Sequence, residues 1–330
     1  MVSDAEEVCF EQPPYRPPSE SRSLLIRATR GCPWHRCAFC QMYNDTRFEV
    51  RTVEEVERDI EAMRRVADTV QEFAQKNGFA DRLEDVALHF GVLWIHDDGV
   101  KTAFIGDSNS IVMRTDDLAH ILEFLRRTFP TIERVTSYGR AHTVLRKSPD
   151  DLKRLRKAGL SRLHLGLETG DDELLSYINK GVTAAQMTEA GKRVVASGIS
   201  LSEYVILGLG GKERWEQHVD GTAAVLNAVN PDFIRVRTLM VIDGTPLAEK
   251  YARGEFTLQT SEGVLKETRR LIEKLEVGSE FVSDHVSNYL NLNGKLPEDR
   301  ERLLQAVDAV LATPTDARER LLTPENLRHP

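Results

Sequence analysis

The chain has 330 residues, with 44 Lys and Arg against 52 Asp and Glu and a net charge of −8; 41% of the residues are apolar and 29% charged. That balance suits a water-soluble globular protein with enough chain for one large α/β domain, and its acidity argues against broad nucleic-acid binding, which needs Lys and Arg in excess to neutralise phosphates. No window holds the roughly 18 consecutive apolar residues of a membrane span, and the start, MVSDAEEVCFEQ, lacks the basic-then-apolar order of a secretory leader.

Residues 1–22 carry Pro13, Pro14, Pro17 and Pro18 and read as an extended lead-in. The run Ser23-Leu24-Leu25-Ile26-Arg27-Ala28 suits a buried strand, and a cysteine-rich loop follows it at once. Thr52 and Glu55 then form a capping-box pattern. Behind it Val53, Val56, Ile60, Met63, Val66, Val70 and Phe73 recur at helical steps, and Gly78 is the expected stop. Residues 79–100 suggest an extra strand, with a turn at Asp97-Asp98-Gly99.

From Thr102 onward strands and helices alternate. Strands are predicted at 102–106, 134–138, 162–168, 201–207 and 233–241. The intervening helices centre on Leu118–Leu125, run from Pro149 to Gly159 and from Thr183 to Gly198, then cover 213–227 and 265–275. Six β-then-α units imply parallel strands with crossover helices, either in an incomplete barrel or in an open doubly wound sheet. After Val277 the alternation stops, so the chain divides into a lead-in (1–22), a β/α body (23–277) and a C-terminal extension (278–330) with one helix near Leu303, Leu304 and Val307.

Three of the four cysteines, Cys32, Cys37 and Cys40, fall within Gly31-Cys32-Pro33-Trp34-His35-Arg36-Cys37-Ala38-Phe39-Cys40; the fourth is Cys9. Such a cluster in a long chain reads as a metal site in a reducing compartment rather than as a disulfide framework. Thiolates select iron–sulfur clusters or zinc. Three on one loop can hold three irons of a [4Fe–4S] cube and leave the fourth open. A closed zinc site would need His35 or Cys9 as well, and would make the protein a non-catalytic zinc- or Fe–S-binding module. The position directly after the first strand favours chemistry, which collects at the C-terminal ends of strands in β/α folds.

These features resemble the radical S-adenosylmethionine (SAM) enzymes: clustered Cys after strand one, an aromatic before the last Cys, and six β/α units. The resemblance spans about Ser19 to Leu247. The segments Arg16-Pro17-Pro18-Ser19-Glu20, Thr29-Arg30-Gly31-Cys32 and Gly166-Leu167-Glu168-Thr169-Gly170 are similar to its uncharacterised Fe–S oxidoreductases. One departure is the first gap, four residues where three are usual.

The resemblance implies an α/β fold, a partial (β/α)6 TIM-like barrel with a C-terminal helical extension. It implies a [4Fe–4S] cluster on Cys32, Cys37 and Cys40 with SAM at the open iron. Reductive cleavage of SAM then gives a 5′-deoxyadenosyl radical that takes hydrogen from a small-molecule substrate. Phe39 would shield the cluster, although plain core packing explains it equally. Gly106-Asp107-Ser108 stands where the family contacts the SAM amino group, though a Gly-Gly-Glu is usual there and the run also fits a simple turn. Glu168 would accept from the ribose hydroxyls, with a salt bridge to Lys180 as the alternative. Lys180 would reach the SAM carboxylate, Ile206 and Gly208 would hold the adenine, and Tyr138 would line the site.

Arg140, Arg235 and Arg237 lie near strand ends and suit an anionic substrate or surface ion pairs. His285 and Asn288 form a polar group that would cap the barrel mouth or be satisfied structurally. The resemblance further implies reduced flavodoxin or ferredoxin as electron donor and a reducing cytoplasm. The methylthiotransferase branch needs more Cys and a basic tail, the cobalamin-dependent branch a longer N-terminal region, and the porphyrinogen oxidases the three-residue gap.

Overall fold

The structure is a computed structural model that describes residues 9–314. In chain order the strands are β1 (Leu24–Arg27), β2 (Thr29–Arg30), β3 (Glu49–Val50), β4 (Thr102–Gly106), β5 (Arg134–Gly139), β6 (Leu160–Glu168), β7 (Ser200–Leu207), β8 (Phe233–Thr238), β9 (Glu280–Val282) and β10 (Asn293–Lys295). The helices are α1 (Val53–Lys76), α2 (Leu83–His89), α3 (Thr115–Thr128), α4 (Ala141–Arg146), α5 (Pro149–Ala158), α6 (Asp172–Tyr177), α7 (Ala184–Ala196), α8 (Trp215–Val229), α9 (Pro246–Ala252), α10 (Ser261–Lys274) and α11 (Arg300–Leu311).

One sheet runs β1-β4-β5-β6-β7-β8-β9-β10; β2 and β3 pair separately. Every neighbouring pair from β1 to β9 is parallel, and β10 returns antiparallel on β9. The strands follow one another in chain order without the reversal that a doubly wound sheet would show, and the described edges are β1 and β10, so the fold is the partial (β/α)6 barrel with a C-terminal helical extension. Inward-facing aromatic side chains interlock across it. Tyr138, His164 and Tyr204, on three adjacent strands, place ring centroids 5.4 to 6.4 Å apart.

Local signals set the helix starts. Thr52, Ser148 and Thr183 each accept from the third residue of their helix, and Glu55, Asp151 and Gln186 return the bond. α1 buries Val56, Ile60, Met63 and Val70, as the periodicity requires. Phe73 departs from that stripe: it is exposed and meets Phe90 edge-on at 5.2 Å. Residues 79–100 form α2 and one His96–Gly99 bridge rather than a strand. The sixth strand stops at Thr238, short of Val241.

The lead-in is tied down by charge. Glu11 pairs with Arg27 and Arg30 at 2.7 and 2.6 Å, and Glu20 is fully buried against Ser23 and Arg134. Beyond Val277, β9 continues the sheet on β8, and Leu303 and Val307 of α11 join the main core. Arg269 of α10 pairs with Asp308 of α11 at 2.7 Å. A smaller apolar cluster of Leu174, Ile178, Leu209, Leu239, Leu247 and Phe256 has Phe39 of the cysteine loop packed against it. No helix among the described residues is long and apolar enough to cross a membrane.

Candidate active site

The cysteine loop leaves β1 and is held from several sides. Asp107 Oδ2 accepts from the Gly31 N–H at 2.8 Å and from Arg27 Nη2 at 2.8 Å. The Ser108 hydroxyl donates to the Gly31 carbonyl at 2.9 Å. The Ala38 N–H donates to the Ile178 carbonyl, and the Ala38 carbonyl accepts from Leu247 N–H. Trp34 donates from Nε1 to the Asn179 carbonyl at 2.8 Å, and its ring covers Gly181, where a Cβ would overlap it.

These restraints set the loop over a cavity of about 250 Å³. Cys32, Cys37 and Cys40 line it, as do Phe39, Ser108, Tyr138, Glu168, Lys180, Ile206, Arg140 and Arg237. The loop after β1 and the C-terminal ends of β4 to β8 therefore all contribute. All three thiols are free and partly buried; Cys9 is free and exposed.

Their surroundings differ. At Cys32 burial works to raise the thiol, but hydrogen bonds from the His35 backbone, the Ser108 hydroxyl and the Trp34 backbone, with the charge of Arg140, hold it below its ordinary value. Burial pushes Cys37 and Cys40 up, against Lys180 and Arg140 at Cys37 and the Met42 backbone at Cys40.

Glu168 and Lys180 face this cavity as an ion pair, Nζ to Oε1 2.7 Å, each side chain 12% exposed. The alternative raised for Glu168 is thus present, inside the cavity. Two backbone features make room for it. The β6–β7 register shifts between Gly166 and Glu168, and Glu168 itself has φ +61°. A Cβ on Gly166 would overlap Oε1 of Glu168 and stand 2.9 Å from Nζ of Lys180. A non-glycine residue with positive φ is a strained position of the kind found at functional sites.

Three expected contacts lie outside the lining. Gly106 sits under Pro13, where a Cβ would reach Pro13 Cγ at 2.9 Å. Asp107 is fully buried and spends Oδ2 on Arg27 and Gly31, so it anchors the cysteine loop instead of facing the cavity. Gly208 donates its N–H to Glu267 Oε2 at 2.6 Å. Arg235 is not among the lining residues; its guanidinium lies 5.6 Å from the Phe233 ring centroid, and its charge bears on His164 and Tyr204. His35 does line it, but Cys9 does not. His285 and Asn288 sit beside the end of β8.

Residues the sequence did not single out also line the wall: Arg36, Met42, Tyr43, Asn44, Gly166 and Tyr204. Gly166 and Tyr204 stood in quoted or adjacent strand segments, and inward alternation along β6 and β7 was the available signal. Tyr43 is buried, edge-on to Tyr15 at 5.4 Å, and nothing in its local sequence distinguishes it.

The family model of the radical SAM superfamily matches residues 26–220, more than half of the chain. The chain belongs to the radical SAM superfamily. Members use a [4Fe–4S] cluster and SAM, and these are the cofactors of this enzyme. An uncharacterized protein of Methanocaldococcus jannaschii is 31% identical over 94 residues, 28% of this chain and 29% of its own. The tRNA uridine(34) acetyltransferase of the same organism is 27% identical over 110 residues, 32% of this chain and 20% of its own. The chain thus spans less than a third of the length of the curated relatives it matches. The solved structure of methylornithine synthase is 15% identical, with a TM-score of 0.48, covering 91% of this chain and 86% of that one.

The donor set fits a radical SAM cluster. Among the described residues no three His, Cys, Asp or Glu side chains group as ligands of a single metal ion. A cube asks for something else, one soft thiolate per iron. Three free thiols around one cavity meet that need.

Proposed function

We propose that Cys32, Cys37 and Cys40 hold the [4Fe–4S] cluster, that SAM lies in the cavity they share with Ser108, Tyr138, Glu168, Lys180, Ile206 and Phe39, and that the substrate is a small molecule. When bound, the cluster with its open iron supplies the electron that cleaves SAM to a 5′-deoxyadenosyl radical. The observation that carries this reading is the convergence of three free thiols and the ends of the six strands β1 and β4 to β8 on one cavity.

The chain's own groups have separable tasks. Phe39, resting on the smaller apolar cluster, keeps water from the thiols. Lys180 offers its ammonium to a carboxylate, and Glu168 accepts from hydroxyls; paired, they are ordered before ligand arrives. Ser108 holds the cysteine loop through Gly31 while facing the cavity. Gly106, Asp107 and Gly208 act one layer back, Asp107 by fixing the Gly31 N–H. Residues 23–277 form the catalytic body, and reduced flavodoxin or ferredoxin is the proposed electron donor.

The test is anaerobic reconstitution with iron and sulfide, followed by dithionite and SAM, with Cys37→Ala as control. Cluster absorbance and 5′-deoxyadenosine in the wild type, with neither in the variant, is expected. Stoichiometric zinc, or a cluster that never cleaves SAM, overturns the reading.

A further inference from the structure

Arg36, Arg140, Lys180 and Arg237 line the cavity against one carboxylate, Glu168. The four cations are not equivalent. Lys180 is bound to Glu168, and Arg140 donates to the Lys180 carbonyl at 2.8 Å while lying over Trp34. Arg36 lies against the same ring. The charges of Arg140 and Lys180 bear on the cysteine thiols.

Arg237 stands elsewhere, at the end of β8. Its guanidinium lies over the Tyr204 ring, 4.8 Å from the centroid, and its charge falls on Tyr138, Tyr204 and His285. Among the described residues no carboxylate pairs with it. It is half-buried and lines the cavity beside Tyr138 and Tyr204.

The backbone that carries Arg237 is held on both sides. β9 pairs with β8 as far as Arg235 opposite Val282 and then leaves it. The 283–288 loop takes over. The Thr238 N–H donates to the Ser287 hydroxyl at 3.1 Å, and Asn288 Nδ2 donates to the Val236 carbonyl at 2.9 Å and to Ser283 Oγ at 3.0 Å. The C-terminal extension thus substitutes side-chain bonds for the missing strand. A stacked guanidinium on a fixed strand end, without its own anion, is a preorganised bidentate receptor.

Resting on the reading above, we infer that Arg237 is the specificity-determining residue for an anionic substrate, receiving its carboxylate or phosphate group, and that the 283–288 loop positions it. A neutral substrate would leave this half-buried cation without an anionic partner.

The test uses the reconstituted, SAM-loaded protein under anaerobic conditions, with inorganic phosphate and malonate as probes. Phenylglyoxal modification of Arg237 is followed by mass spectrometry against exposed Arg114. Protection of Arg237 over Arg114 by either probe is expected, and the better probe identifies phosphate or carboxylate as the group. By calorimetry, Arg237→Gln should weaken the protecting anion at least about tenfold, with Arg237→Lys intermediate. Cluster absorbance and SAM affinity should stay as in wild type. Equal modification with and without anions overturns the inference. So does protection by SAM alone against anion-free, SAM-free protein, or lost SAM affinity in Arg237→Gln, because either gives Arg237 to the cofactor. A wild-type protein that holds no cluster would sink the catalytic reading while the anion titration still reports on Arg237.

Discussion

Replacing Gly166 with Ala adds one methyl group where the Glu168–Lys180 pair already lies. The new Cβ would overlap Oε1 of Glu168 and approach Nζ of Lys180 to 2.9 Å. Restoring van der Waals clearance displaces the carboxylate by about 1 Å. The pair, now 2.7 Å, then opens by a similar amount. At an effective dielectric near 20 the Coulomb loss is about 2 kcal/mol, in line with the roughly 1.5–3 kcal/mol of a charged hydrogen bond. Stiffening the unfolded chain returns about 0.4–1 kcal/mol, so a net loss of about 1–2 kcal/mol is expected. Urea unfolding of the cofactor-free protein measures it as a lower midpoint at unchanged slope. The same substitution in a Glu168→Ala, Lys180→Ala background, where neither clashing side chain remains, should be nearly harmless, which isolates the pair. A Gly166→Ala protein as stable as wild type, or equally destabilised in both backgrounds, would refute the reasoning.

Glu203 on β7 is 3% exposed, with Oε2 unpartnered among the described residues. Burial and then the Glu168 carboxylate push it up to about 8 from 4.5, against Lys180. Its folded value lies above its unfolded one, so the stabilisation is complete below about pH 4.5 and lost as pH rises through 8. Between pH 5 and 9 the wild type should therefore lose a few kcal/mol relative to Glu203→Gln; parallel urea midpoints would contradict this. Gly181→Ala, at φ +77° under the Trp34 ring, should cost about 2–3 kcal/mol and lower the iron retained per chain after reconstitution. Normal iron content and thermal stability would show that Trp34 does not anchor the loop. Asn288→Ala removes the donor to the Val236 carbonyl and should cost about 1–2 kcal/mol while weakening anion protection of Arg237. Unchanged protection would separate the loop from Arg237.

Strand and helix alternation was readable because both periodicities are local, and the capping box at Thr52, Pro149 at the first helical position and Thr183 marked helix starts within a residue. What escaped was long-range. β9 and β10 are three residues each, and Glu280-Phe281-Val282 becomes a strand because β8 offers it an edge, which no local pattern announces. Residues 79–100 lacked the alternation of a strand, and α2 took them. At the site, Cys32, Cys37, Cys40, Glu168 and Lys180 were named from a motif and are together. Asp107 was assigned to the cavity because Gly106-Asp107-Ser108 resembles the family's SAM-contacting segment. Its carboxylate turned instead to Arg27 and Gly31, since a fully buried charge takes the nearest cation and N–H. Arg237 could be placed at a strand end, but its isolation from any carboxylate needed the three-dimensional neighbours.

The two bonds at Ala38 set an order of events for the growing chain. Its N–H is taken by Ile178 and its carbonyl by Leu247, so the loop that carries the thiols acquires its final shape only after the ribosome has made the start of α9. Until then the loop lacks the bond from the Leu247 N–H to the Ala38 carbonyl that closes one side of it. Iron delivered that early meets thiols in no fixed arrangement. A chain cut before Leu247 therefore leaves one side of the cradle missing.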